Sequence, residues 1–95
     1  RLDKNRLVGC ELPTWLKVVK EGDSYWYHFD CDSRVINGFV ALMLSAIQGQ
    51  PRTFDSHAEL LTPLAQLGIE RHVTPSRNNG LLAIAIAIEQ STREL

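Results

Sequence analysis

Thr14-Trp15-Leu16-Lys17-Val18-Val19-Lys20, Glu21-Gly22-Asp23-Ser24 and Tyr25-Trp26-Tyr27-His28-Phe29 follow one another without a break, and their reading decides the fold. The first run is β-branched and aromatic and predicts a strand. The second sets Gly and Asp among polar residues and predicts a turn. The third predicts another strand. On it Tyr25, Tyr27 and Phe29 share one face and Trp26 and His28 the other, because successive strand side chains point to opposite sides. So short a link joins antiparallel strands, so a β-hairpin is expected.

Downstream the hydrophobic period lengthens. Ile36, Phe39, Val40, Met43, Leu44 and Ile47 recur at helical spacing. Asp32 or Ser33 can cap this helix, which should run to about Gln48, with Gly49 just past its end. Its apolar stripe is wide, so it should be well buried. Ser56-His57-Ala58-Glu59 has the form of a capping box before Leu60-Leu61. Thr62-Pro63 should kink that helix or restart it, and Gly68 should end it. A short extended piece, Ile69 to Val73, is expected next. Thr74-Pro75 is an N-cap and first-turn pair that opens the last helix.

Within that last segment Ile84-Ala85-Ile86-Ala87-Ile88 alternates like a strand. Ala is itself apolar, however, and Leu81, Leu82, Glu89, Gln90 and Arg93 around it favour helix. As a helix it puts Arg77, Leu81, Ile84 and Ile88 on one face, with Arg77 a charge at the edge of an apolar stripe. Upstream of the hairpin, residues 1–13 are polar, then mixed, and end at Pro13. They read as a loop.

Composition narrows the function classes. A chain of 95 residues is expected to form one domain, residues 1–95. Its formal net charge is -1, and its Lys and Arg residues are scattered among acids. Nucleic-acid binding needs a clustered basic face, so no nucleic-acid partner is expected. No apolar run reaches the roughly 20 residues that span a bilayer, and no apolar core follows Arg1-Leu2-Asp3-Lys4-Asn5-Arg6 as in a secretory signal. A cytoplasmic protein without a membrane partner is expected, or an organellar one in a eukaryote. Cys10 and Cys31 are too few for a disulfide framework or a structural zinc site. No P-loop, dinucleotide fingerprint or paired-carboxylate site is present, so neither a metal nor a cofactor of its own is expected.

Cys10 is the first candidate for chemistry. It follows Gly9, which permits backbone conformations closed to other residues, and it lies in the expected loop before Pro13. Such a thiol can reach another protein's active site. A free Cys is more often a small buried hydrophobe, and local sequence favours that reading. Cys31 stands between Asp30 and Asp32, whose carboxylates should raise its pKa and slow its attack, so it reads as structural. His28, His57 and His72 have no nucleophile at a diagnostic spacing and read as surface or strand residues. Gly38 sits early in a buried helix, where it costs about 1 kcal/mol against Ala, and suggests close approach of another backbone.

Three segments taken together resemble one family. Asn5-Arg6-Leu7-Val8-Gly9-Cys10, with Trp15 following, resembles the Cys loop of the SufE/CsdE family of cysteine-desulfurase sulfur acceptors. Asp30-Cys31-Asp32-Ser33-Arg34-Val35-Ile36-Asn37-Gly38 resembles that family's strand-to-helix junction, where an acid-small-acid run precedes an apolar-apolar-x-Gly helix start. Val73-Thr74-Pro75-Ser76-Arg77-Asn78-Asn79-Gly80-Leu81 resembles its Thr-Pro-Ser-Arg-x-x-Gly-Leu motif. The three stand in the family's order at similar spacings and cover about Asn5 to Ile88.

The resemblance implies an α+β fold in which a small antiparallel sheet is packed by helices. Only nine residues precede Cys10, so the family's N-terminal helical segment is expected to be lacking. It implies a persulfide on Cys10, with Gly9 as a hinge and Asp32 and Arg77 supporting the loop or touching the partner. It implies a cysteine desulfurase as partner, which carries the pyridoxal phosphate. It also implies a downstream acceptor or scaffold in iron–sulfur cluster assembly or a related sulfur pathway. The chain departs from the family at Glu11-Leu12-Pro13, where Gln commonly follows the Cys and a small residue stands in place of Pro13. It departs again at Cys31, where Ser is common. Two other readings stand beside this one: a docking module that regulates a desulfurase without carrying sulfur, and a redox protein cycling a Cys10–Cys31 disulfide.

Overall fold

The computed structural model describes residues 2–7, 12–71 and 73–95, with Glu70 described by its backbone alone. Strand β1 is Thr14–Glu21 and strand β2 is Ser24–Cys31. They pair antiparallel in an unbroken register from Thr14↔Cys31 at the open end to Glu21↔Ser24 at the turn. Gly22 takes φ +58 there, a conformation that side chains with a Cβ disfavour. The expected second strand stopped at Phe29. It continues through Asp30 and Cys31 because each still has a cross-strand partner, Trp15 and Thr14.

The alternation along β2 falls as read. Tyr25 and Tyr27 are buried and Phe29 half-buried, while Trp26 and His28 are exposed. Two strands alone are marginal in water, so the inner face needs cover. Helices α1, Arg34–Ser45, and α3, Pro75–Glu94, supply it, with α2, His57–Gln66, packed against both. Val40, Met43, Ile84 and Ile88 are sealed at the centre, next to Leu16 and Tyr27.

Each helix end has a local or tertiary cause. Ser33 caps α1: the Ile36 N–H donates to Ser33 Oγ at 3.2 Å, so Ser33 rather than Asp32 is the N-cap. The helix stops at Ser45, short of Gln48, because the next turn serves β2. The Gly49 N–H donates to the Tyr25 carbonyl at 2.8 Å, and the Tyr25 N–H donates to the Gln50 carbonyl at 2.9 Å. The Gln48 side chain extends the same edge: its Oε1 accepts from the Tyr27 N–H at 2.6 Å, and its Nε2 donates to the Tyr27 carbonyl at 2.9 Å. One amide side chain thus stands in for the next residue of a third strand.

The capping box at Ser56 forms only in part. Ser56 makes no side-chain cap bond, and Glu59 Oε2 accepts instead from the Asp55 N–H at 2.9 Å. Helix α2 runs on through Pro63, and Gly68, with φ +67, follows its end. The extended piece expected over Ile69 to Val73 is a 3-10 turn at Ile69–Arg71. With β1 and β2 the only strands among the described residues, it has no edge to join, and the Arg71 N–H closes back on the Gly68 carbonyl at 3.1 Å. Thr74 caps α3, accepting from the Arg77 N–H at 3.4 Å, and Pro75 opens the first turn. The Ile-Ala alternation is helical, with Ile84, Ala85 and Ile88 at most 1% exposed. No described helix is long and apolar enough to cross a membrane.

Candidate functional site

Cys10, Gly9 and Glu11 lie outside the described residues, as does His72. The described residues that flank residues 8–11 in sequence are held by hydrogen bonds. On its near side the Leu7 N–H donates to the Thr14 carbonyl at 2.8 Å, and Arg6 forms an antiparallel bridge with Trp15. On its far side Thr14 Oγ1 donates to the Leu12 carbonyl at 2.9 Å, and the Asp32 N–H donates to the Pro13 carbonyl at 3.4 Å. Residues 7 and 12 to 14 are therefore tied to the start of β1 and the end of β2.

A hollow of about 50 Å³ lies against these ties. Leu12, Thr14, Cys31 and Ile36 form one side, and Ser76, Arg77, Gly80 and Ile84 from α3 the other. Its walls are mainly apolar, and its size admits the end of one side chain, not a coenzyme. Cys31 is 4% exposed and contributes its thiol to the wall. Thr14 Oγ1 stands 3.6 Å from Cys31 Sγ. Thr14 has one hydroxyl proton, and the shorter contact to Leu12 takes it, so its lone pairs face the thiol. The Cys31 backbone is held as well, its N–H on Asp30 Oδ1 at 2.9 Å and its carbonyl by Asn37 Nδ2 at 2.9 Å.

The structure brings Arg77 and Cys31 to one hollow, although they stand far apart in sequence. The sequence set Arg77 on the edge of the apolar stripe. It is exposed at the head of α3, while Leu81, Ile84 and Ile88 below it are buried, so Arg77 stands at the rim. Asp32 is exposed and follows Cys31 at the same end of the sheet. Gly38 is exposed on α1, and a Cβ built there meets no described atom within 4 Å; the Cys10 segment, a candidate for the expected backbone approach, lies outside the described residues.

One polar constellation was not read from the sequence. The His57 N–H donates to Glu89 Oε1 at 2.7 Å, the His57 ring Nδ1 lies 3.3 Å from the same oxygen, and Arg93 stands 3.7 Å from Oε2. The His57 backbone N–H, the largest influence, holds the Glu89 carboxyl below the ordinary 4.5, with Arg93 adding to it. This is a helix cap delivered from another helix, and no local pattern at Ser56 announces it. Among the described residues no group of His, Cys, Asp and Glu could hold a metal ion.

The family model described as the SufE Fe-S metabolism associated domain matches residues 1–92. The sulfur acceptor protein CsdE of Escherichia coli is 29% identical over 93 residues, which cover 94% of this chain and 61% of that protein. SufE-like protein 1 of Arabidopsis thaliana, chloroplastic/mitochondrial, is 33% identical over 84 residues, covering 83% of this chain and 21% of that protein. A SufE-like protein of Synechocystis is 28% identical over 86 residues, or 88% of this chain and 52% of that protein. The chain thus spans less than two thirds of the length of each of these relatives. A match over nearly its whole length, on an α+β fold whose hollow gathers the junction and Arg77 motifs, shows that the chain belongs to the SufE family.

Proposed function

We propose that this chain is a sulfur acceptor that takes persulfide sulfur from a cysteine desulfurase onto Cys10 and passes it to iron–sulfur cluster assembly or a related pathway. The observation that carries this reading is membership of the SufE family together with likeness to a relative named a sulfur acceptor. Local geometry supports it. The chain on either side of Cys10 is anchored by Leu7, Leu12 and Pro13 to a rigid strand end, beside a hollow with Arg77 at its rim.

The chemistry is thiol exchange. The donor carries a persulfide on its own cysteine. The Cys10 thiolate attacks the terminal sulfur, a new S–S bond forms on Cys10, and the donor's S–S bond breaks. The donor cysteine leaves as a thiolate with the bonding electrons. No net oxidant is required. Pyridoxal phosphate, which makes the donor persulfide, belongs to the desulfurase in this reading. The Arg77 guanidinium is suited to hold negative charge on sulfur or to contact the donor, and Gly9 and Asp32 are assigned to loop movement.

The docking-module reading draws on Glu11, whose carboxylate is next in sequence to the thiol and works against thiolate formation. One experiment separates the two. The chain is incubated with a desulfurase and free cysteine, then digested without reductant, and the peptide holding Cys10 is weighed. A gain of one sulfur atom on that peptide supports the acceptor; stimulation of the desulfurase with no gain supports the docking module.

A further inference from the structure

In sequence the basic residues look scattered, but they are unevenly placed. The first twenty residues hold five of the ten Lys and Arg and only two of the eleven acids. The fold sharpens this bias. Lys4 and Arg6 lie at and just beyond the 3-10 turn Asp3–Asn5, which sits against β1, where Lys17 points to the same outer side as Trp15. The Arg6 guanidinium stands 5.9 Å from the Trp15 ring centre, and Arg6 is paired with Trp15 through the backbone. Two open grooves of about 460 and 340 Å³ meet on this surface and share Asn5, Leu16 and Lys17. Lys4, Arg6 and Lys17 are all exposed, and none makes an ion pair among the described residues. Glu94 stands at one end, Asp30 at the other, and Asp3 precedes Lys4 in the same exposed turn, while Lys4, Arg6 and Lys17 line the stretch between.

We infer that this basic groove docks an acidic segment of the sulfur donor. The inference deepens the sulfur-acceptor reading and rests on it for the donor's identity. Three features fit a protein carboxylate surface better than a loose cloud of charge. The cations are arranged along one groove. Trp15 stiffens one of them by stacking, which lowers the entropy lost on binding. In sequence the row also leads through Arg6 and Leu7 into the segment that bears Cys10, so a donor engaged here binds residues close in sequence to the transfer thiol. Paired charges of this kind raise the rate of encounter and fix orientation more than they add affinity. The groove would therefore lower the chain concentration needed for loading and leave the transfer step itself unchanged.

Two measurements test this on the whole chain. In the first, hexaglutamate is titrated while backbone amide signals are followed by NMR. Shifts concentrated at Lys4, Asn5, Arg6, Trp15 and Lys17, lost in Lys4→Glu/Lys17→Glu and lost in about 0.5 M salt, where charges are screened within a few ångströms, support the docking groove. Equal shifts at Arg34, Arg52 and Arg71, or none at all, overturn it. So does tighter binding of a short DNA duplex at the same residues. In the second, Cys10 loading by a desulfurase is measured against chain concentration. The same double variant should need about tenfold more chain for half-maximal loading at an unchanged saturating rate, while Arg71→Glu behaves as wild type. Identical curves for the double variant and wild type overturn the inference. Because the peptide titration uses no desulfurase, failure of the acceptor reading is distinguishable from failure of the groove.

Discussion

Thr14 Oγ1 lies 2.9 Å from the Leu12 carbonyl and 3.6 Å from Cys31 Sγ, and so joins the chain after Cys10 to the last residue of β2. Thr14 is 2% exposed, so its hydroxyl has no water to fall back on. Thr14→Val keeps the shape and removes the proton donor. It should cost about 1–2 kcal/mol in urea unfolding, since it leaves a partly buried carbonyl unpaired. It should also slow sulfur loading of Cys10 more than Cys31→Ser does, because it releases the Leu12 anchor. Equal loading rates for Thr14→Val and wild type would show that the anchor is irrelevant to transfer.

Gln48 closes the edge of β2 by holding both backbone groups of Tyr27. Gln48→Leu keeps the bulk and removes both partners. About 2–3 kcal/mol of stability should be lost on denaturant unfolding, as two part-buried main-chain groups go unpaired. Amide exchange at Tyr27 should accelerate with it, while exchange at Trp26, which faces β1, changes less.

Gly49 is pinned from two directions. Its φ is +69, and a Cβ built there would meet the Trp26 ring at 2.8 Å. Gly49→Ala combines backbone strain with a steric conflict and should cost about 1–3 kcal/mol. Gly38→Ala, on an exposed helix position with no described atom within 4 Å of the added Cβ, should stabilise by about 0.5–1 kcal/mol. Thermal unfolding of the two variants beside wild type checks both signs.

Glu89 and Tyr27, among the described residues, give stability a pH dependence. Glu89 is held below 4.5 in the folded chain, chiefly by the His57 N–H. Its contribution is present above pH 4.5 and fades as pH falls through the lower folded value, so Glu89→Gln should be less stable than wild type at neutral pH and close to it in acid. Tyr27 is pushed up to about 12, first by burial and then by Tyr25. Folding therefore loses stability as pH rises from 10 towards 12, where the unfolded phenol ionises and the folded one does not. Tyr27→Phe should flatten that alkaline limb.

The hairpin was legible because period-two alternation, an aromatic face and a Gly-Asp turn all agree within sixteen residues, Thr14 to Phe29. Helix α3 was legible once Ala was counted as apolar, since Ile84 and Ile88 then fall one above the other. The errors lie where distant parts decide. Helix α1 ends early because Gln48 and Gly49 are drawn to Tyr25 and Tyr27, and Glu89 rather than Ser56 satisfies the start of α2. The piece after Gly68 looked extended, but a strand needs an edge to pair with. At the candidate site, motif order pointed to Asp32 and Arg77. That Cys31 and Arg77 share one hollow depends on how α3 crosses the sheet end, which no local pattern encodes. The basic groove was missed for the same reason, because Lys17 joins Lys4 and Arg6 only after the chain turns back through Trp15.

The most direct test of sulfur acceptance is to weigh Cys10→Ser and Cys31→Ser side by side after incubation with a desulfurase and cysteine. The account predicts one added sulfur atom on Cys31→Ser and none on Cys10→Ser, with desulfurase turnover stimulated by the first and not by the second. Sulfur gained by Cys10→Ser, with stimulation undiminished, would contradict it.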